Sequence, residues 1–177
     1  MHLLRPVATA PTTPWANGAG ITTELVSFED SHELSPEGTP PWRLSIAQLE
    51  RAAPFSALPG VLRTFMPLDG ALALRVGRQT HDLRPGVPLH FSGEDDVALE
   101  TLPAPCRALN LMVRGPRAGG IVAADGSGRI PRSALAVLTE RNGELLVATP
   151  GVVSLTPRSR GSAEVGEARF YLCVDAP

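Results

Sequence analysis

The chain has no lysine: all sixteen of its basic residues are arginine. That absence removes Schiff-base chemistry and the phosphate-gripping lysine of a P-loop, so any anion is met by guanidinium groups. Long apolar runs are missing too. Nothing approaches a membrane span, and the N-terminal MHLLRPVATAPTTPW has no apolar core of signal-peptide length, so the expectation is a cytoplasmic protein with no membrane partner. Cysteine is scarce. Cys106 and Cys173 stand far apart in apolar, strand-like runs and read as buried thiols, with no CxxC or Cys/His spacing to hold zinc. The net charge of -2 comes with basic residues scattered singly, which gives a phosphate backbone no continuous footprint and argues against nucleic acid as a partner.

Helical periodicity is also lacking. What the chain has instead is short runs rich in Val, Leu, Ile, Thr and Phe, separated by clusters drawn from 17 Gly and 18 Pro. This is the pattern of an all-β sandwich or barrel. The clearest strands are expected at 22–28, 42–49, 61–68, 71–76, 97–102, 107–113, 134–141, 144–148 and 168–174. Asp69-Gly70 and Asn142-Gly143 each lie between two apolar runs and predict tight hairpins, because both pairs tolerate the positive φ that primed turns demand. Residues 30–41, polar and Pro-rich, read as an exposed excursion. Residues 115–132, with Gly119-Gly120 and Asp125-Gly126, read as a connecting loop.

The front of the chain carries an ordered series of Gly turn, hairpin, Pro-Gly turn and apolar strand through LPGVLRTFMPLDGALALRVG and HDLRPGVPLHFSGEDDVALE. The series resembles the two-motif cupin pattern of a small β-barrel. The back repeats the order faintly, with Asn142-Gly143 standing for Asp69-Gly70 and Pro150-Gly151 for Pro85-Gly86. The expected architecture is an RmlC-like cupin, a bicupin-type double-stranded β-helix with a degenerate second barrel. It forms one unit over 1–177: a front barrel at 1–114, the connection at 115–132 and the second portion at 133–177.

A metal-dependent cupin needs closely spaced histidines and a carboxylate converging on one ion. Here the four histidines stand alone. His2 and His32 read as solvent-exposed, while His81 and His90 sit near strand ends without ligand spacing, so no metal or other cofactor is expected. The informative residues lie on strands. In 42–47, alternation sends Trp42, Leu44 and Ile46 to one face and Arg43, Ser45 and Ala47 to the other. The same rule pairs Arg63 with Phe65, Thr22 with Glu24, and Asn110 with Met112. If the apolar sets pack between layers, Arg43 and Arg63 point into the barrel, where a ligand carboxylate would satisfy them through bidentate forks. Alternatively each arginine pairs with Glu24 or lies on a solvated face. Trp15 and Trp42 read as core, whereas Phe55 and Phe65 are candidate pocket walls. The Gly-rich stretch 15–20 enters a strand rather than a helix, so it is no dinucleotide fingerprint. It can present backbone amides to a ligand or merely turn.

These segments, WANGAGITTEL, PWRLSIAQLERAAPFSALPGVLRTFMPLDG and LNLMVRG, resemble the HutD/Ves family. The family pattern of W-x-N, T-x-E, WR-x-S, FS-x-x-PG-x-x-R and a later Asn falls here on Trp15 with Asn17, and on Thr22 or Thr23 with Glu24. It continues on Trp42, Arg43 and Ser45, then on Phe55, Ser56, Pro59, Gly60 and Arg63, and ends on Asn110. Ala19 departs from the pattern, standing where many relatives carry a third Gly. The resemblance implies a metal-free bicupin linked to bacterial histidine utilisation that binds an intermediate such as urocanate or N-formylglutamate. The Ves branch is tied to stress responses instead.

The leading expectation is therefore a non-enzymatic sensor or regulator that binds a small carboxylate through Asn17, Thr22, Glu24, Arg43, Ser45, Phe55, Arg63, Phe65 and Asn110. A homodimer is left open. The alternative is a metal-independent cupin enzyme, an isomerase or hydrolase with Glu24 or His90 as general base. An interaction module with a vestigial pocket is the third reading.

Overall fold

The computed structural model describes residues 4–127, 129–150 and 167–174. Their strands are β1 (Leu4–Pro6), β2 (Thr12–Pro14), β3 (Gly20–Val26), β4 (Trp42–Leu49), β5 (Ala53–Pro54), β6 (Val61–Pro67), β7 (Leu72–Val76), β8 (Gln79–Leu83), β9 (Leu89–Ser92), β10 (Val97–Thr101), β11 (Cys106–Arg114), β12 (Gly119–Ala123), β13 (Ala134–Arg141), β14 (Glu144–Ala148) and β15 (Glu167–Val174). A short α-helix, α1, spans Asp30–Leu34 and a 3-10 turn spans Val7–Thr9.

Three antiparallel sheets stack as layers. The central one has six strands in the order β2-β3-β4-β11-β6-β9; a four-stranded sheet, β5-β10-β7-β8, covers its front, and a five-stranded sheet, β1-β14-β13-β15-β12, covers its back. The alternation in β4 is what makes the middle layer two-sided. Trp42, Leu44 and Ile46 join Met66, Leu109, Leu111 and Val113 in a core shared with Leu138, Val147 and Leu172 of the back sheet. Ala47 and Leu49 face forward into a second core with Phe65, Ala108, Leu74 and Leu99. The fold is thus the cupin-type double-stranded β-helix in front. Among the described residues, the back portion of the chain contributes one sheet that packs against the rear of the central one.

Most of the expected strands occur within a residue or two of their places, and Asn142-Gly143 forms the predicted two-residue hairpin, with φ of 52° and 80° and Arg141 opposite Glu144. Four features differ. Asp69-Gly70 is not a hairpin, because β6 and β7 lie in different sheets; it is a crossover. The Asp69 carboxylate accepts from the Arg107 amide at 2.7 Å and Nε at 2.6 Å, and a Cβ at Gly70 would lie 2.5 Å from that of Cys106. The glycine is there for close approach rather than for a primed turn.

The segment 115–132 is not only connection, since it contains β12. Its Gly119-Gly120 pair looks like a turn in sequence, yet a Cβ on Gly119 would sit 2.6 Å from Leu111 Cδ2 and 2.9 Å from Val113 Cγ2. The strand needs a missing side chain to pass over β11. The excursion 30–41 is not simply exposed either. Ser27 and Asp30 exchange hydrogen bonds across the turn that leads into α1. Buried Ser31 then accepts from the Trp42 amide at 3.1 Å, and the Trp42 indole donates to Ser35 Oγ at 2.7 Å. Finally, β1, β2 and β5 were not foreseen, and β8 and β9 were expected only as strand ends near His81 and His90; Gly86, with φ of 80°, lies between the latter two on the passage from the front sheet to the central one. Gly151 of the Pro150-Gly151 pair lies outside the described residues.

Candidate functional site

The front face of the central sheet is organised in rungs set by strand register. Glu24, Ser45, Asn110 and Phe65 lie side by side across β3, β4, β11 and β6. The next rung holds Arg43, Met112, Arg63 and Phe91 across β4, β11, β6 and β9. Because side chains at i and i+2 share a face, both rungs project forward. β3 slips register between Glu24 and Val26, which leaves Glu24 diagonal to Arg43 across the strand pair. Above the rungs opens a cavity of about 510 Å³. Its floor is Thr22, Arg43, Ser45, Ala47, Arg63, Asn110 and Met112; its rim comes from the β2–β3 loop and from the segment after β5.

Two guanidinium groups dominate the floor in unequal circumstances. Arg43 donates through Nε to Glu24 Oε2, an ion pair whose side chains remain 25% and 35% exposed, and its Nη1 lies 3.8 Å from Met112 Sδ. Arg63 is only 8% exposed. Its Nη2 donates to Asn110 Oδ1 at 3.2 Å, while its Nε is buried with no hydrogen-bond partner. The guanidinium carbon lies 5.0 Å from the Phe55 ring centroid and 5.1 Å from that of Phe91. Burial, with a further push from Arg43, lowers the Arg63 pKa to about 10, which leaves it cationic at neutral pH. None of the lining residues is acidic, and Glu24 is already committed to Arg43. Among the described residues the site therefore holds two positive charges and one negative.

The rim is built by local chemistry. Asn17 Oδ1 accepts from the Ala19 amide at 3.0 Å, and Gly18 adopts a φ of 65°, closing the loop as an Asx turn. Ala19 is not among the positive-φ residues, so an alanine fits where the family pattern has glycine. The Trp15 indole donates to Thr22 Oγ1 at 2.8 Å and meets Phe55 edge-on at a centroid distance of 6.2 Å. Arg51 donates to the Asn17 carbonyl at 2.5 Å and holds the loop from outside.

Of the residues expected at the site, Asn17, Thr22, Arg43, Ser45, Phe55, Arg63 and Asn110 line the cavity. Glu24 stands one step back, acting through Arg43. Phe65 is fully buried and supports Phe55 at 5.6 Å between centroids rather than forming a wall. Trp42 is core as expected, but Trp15 is a wall of the cavity, together with Ser56, Leu58 and Met112, none of which was singled out as a site residue. Met112 was legible from its alternation with Asn110. His90 faces away: it pairs with Thr64, whose hydroxyl reaches its Nδ1 at 2.9 Å and the Gly119 carbonyl at 2.5 Å. It is thus no general base for this cavity. No group of three or more His, Cys, Asp or Glu among the described residues could hold a metal ion.

A sequence model of the HutD family matches residues 7–169. The chain belongs to the HutD family. An uncharacterised 21.2 kDa protein of the hutC 3′ region of Pseudomonas putida is 36% identical over 132 residues, covering 72% of this chain and 67% of that protein. Protein Ves of Cronobacter sakazakii is 35% identical over 92 residues, covering 51% of this chain and 48% of Ves, so the match spans about half of that relative. The HutD structure from Pseudomonas fluorescens superposes with a TM-score of 0.66 at 21% identity, covering 98% of this chain and 96% of that one. A conserved protein of unknown function from Pseudomonas aeruginosa gives 0.57 at 21%, covering 100% and 94%. At these identities the structural likeness speaks for the HutD fold. No helix among the described residues is long and apolar enough to cross a membrane.

Proposed function

We propose that this HutD-family chain is a cytoplasmic small-molecule binding protein that holds a carboxylate in its front cavity and acts as a sensor or regulator of histidine utilisation. The observation that carries this reading is Arg63, a buried guanidinium with no acidic partner among the described residues, at the floor of an open cavity. A buried charge is costly unless paired, and a carboxylate is the natural complement of a guanidinium fork. Phe55 and Phe91 flank the group and Asn110 fixes one of its nitrogens, so little ordering remains to be done on binding.

The pathway assignment draws on the P. putida relative, encoded in the hutC 3′ region. Urocanate and N-formylglutamate are the candidate ligands. Two buried free thiols, Cys106 and Cys173, suit a reducing compartment. Calorimetric titration of each acid into the purified protein is expected to give one-to-one binding that weakens as salt rises. Absence of heat from either acid at millimolar concentration would remove the pathway assignment.

A further inference from the structure

The two candidate acids differ in charge, and the floor of the cavity discriminates between charges. We infer that the site selects a monoanion, one carboxylate carried on an apolar, ring-sized body, and that Glu24 sets this selectivity by neutralising Arg43. The inference rests on the carboxylate reading above and goes further by naming the class of acid.

Two guanidinium groups face one carboxylate, so a single ligand carboxylate brings the site to neutrality. A second one has nowhere equivalent to go. Arg43, the only other cation lining the cavity among the described residues, already has Glu24 on its Nε. A dianion's second carboxylate would meet the Nη groups of a guanidinium whose charge Glu24 already offsets, and would lie near the Glu24 carboxylate itself. Register also separates the two arginines: Met112 stands between them, so their backbones lie about two strand spacings apart, roughly 10 Å. The cavity also has apolar walls, to which Trp15, Phe55, Leu58 and Met112 contribute. A ligand anchored on Arg63 thus extends over a thioether and against rings whose positions are fixed, Trp15 by Thr22 and Phe55 by Phe65. Such walls reward an apolar body and supply, among the described residues, no further cation to meet a second charge.

The test uses three acids and the full chain: trans-cinnamate as the ring-bearing monoanion, butanoate as the small monoanion and glutarate as the dianion. In the wild type, calorimetry should rank cinnamate at least about tenfold tighter than either of the others. Glu24→Gln frees Arg43, and glutarate should then tighten by about tenfold or more while cinnamate changes by less than about threefold. Adding Arg43→Met to Glu24→Gln restores the single positive charge, and the wild-type ranking should return. Glutarate or butanoate equalling cinnamate in the wild type overturns the inference alone. So does a glutarate affinity indifferent to Glu24→Gln. Binding of none of the three overturns the carboxylate reading and this inference together.

Discussion

The two faces of the central sheet solve opposite problems with the same strands. On the back, Trp42, Leu44, Ile46, Leu109, Leu111 and Val113 interlock with the five-stranded sheet into a dry core. On the front, the alternate residues Arg43, Ser45, Asn110 and Met112 border a cavity. A cupin barrel must leave its interior partly unfilled to hold anything. Here the described strands of the back portion form a sheet that packs against the rear of the central one. The cavity opens on the front face, and the stability that offsets it comes from the face behind.

That division can be broken from either side. The largest effect is expected from Trp42→Ala, which empties the fully buried position at the centre of the back core and also strands Ser35. It should cost about 3–5 kcal/mol in denaturant unfolding. Gly119→Ala places a Cβ into Leu111 and Val113 at the seam between back and central sheets, and a loss of about 1–3 kcal/mol is expected with the front cavity unaltered.

The smallest effect concerns acid. Burial tends to raise the Asp69 carboxyl, but hydrogen bonds from the Arg107 amide and guanidinium outweigh it and hold the pKa below its ordinary value. A depressed folded pKa contributes stability that is present above the unfolded value and lost as pH falls through the folded one. Asp69→Asn should therefore flatten the stability profile below about pH 4. The pair is 40–48% exposed, so the change at neutral pH should be slight and smaller still in high salt.

What could be read from the residues follows the same division. Period-two alternation is a property of one strand, so it assigned the faces of β4 and brought Arg43, Ser45, Arg63 and Asn110 to one side before any pairing was known. It carries no information on which sheet a strand joins. That is why Asp69-Gly70, a crossover, looked like a hairpin, and why His90, on the face opposite Arg63, looked available. Glycine misled at Gly119 because close packing and turning call for the same residue. Trp15 was assigned to the core because an indole with one satisfied nitrogen suits a core and a pocket wall equally, and its bond to Thr22 at the cavity floor is a tertiary contact that sequence does not show. The partnerless Nε of Arg63 was beyond reach from sequence, since it depends on every neighbour at once.

The central claim is that the buried guanidinium of Arg63 is the anchor of an anion site and not a structural residue. Arg63→Met keeps an unbranched side chain between Phe55 and Phe91 and removes only the charge and its donors. Urocanate should be titrated calorimetrically into wild type and variant side by side, with thermal unfolding of each recorded with and without ligand. The account predicts that the variant melts within a few degrees of the wild type, loses about a hundredfold or more in affinity, and is no longer stabilised by the acid. Equal affinity and equal ligand stabilisation in the two proteins would contradict it.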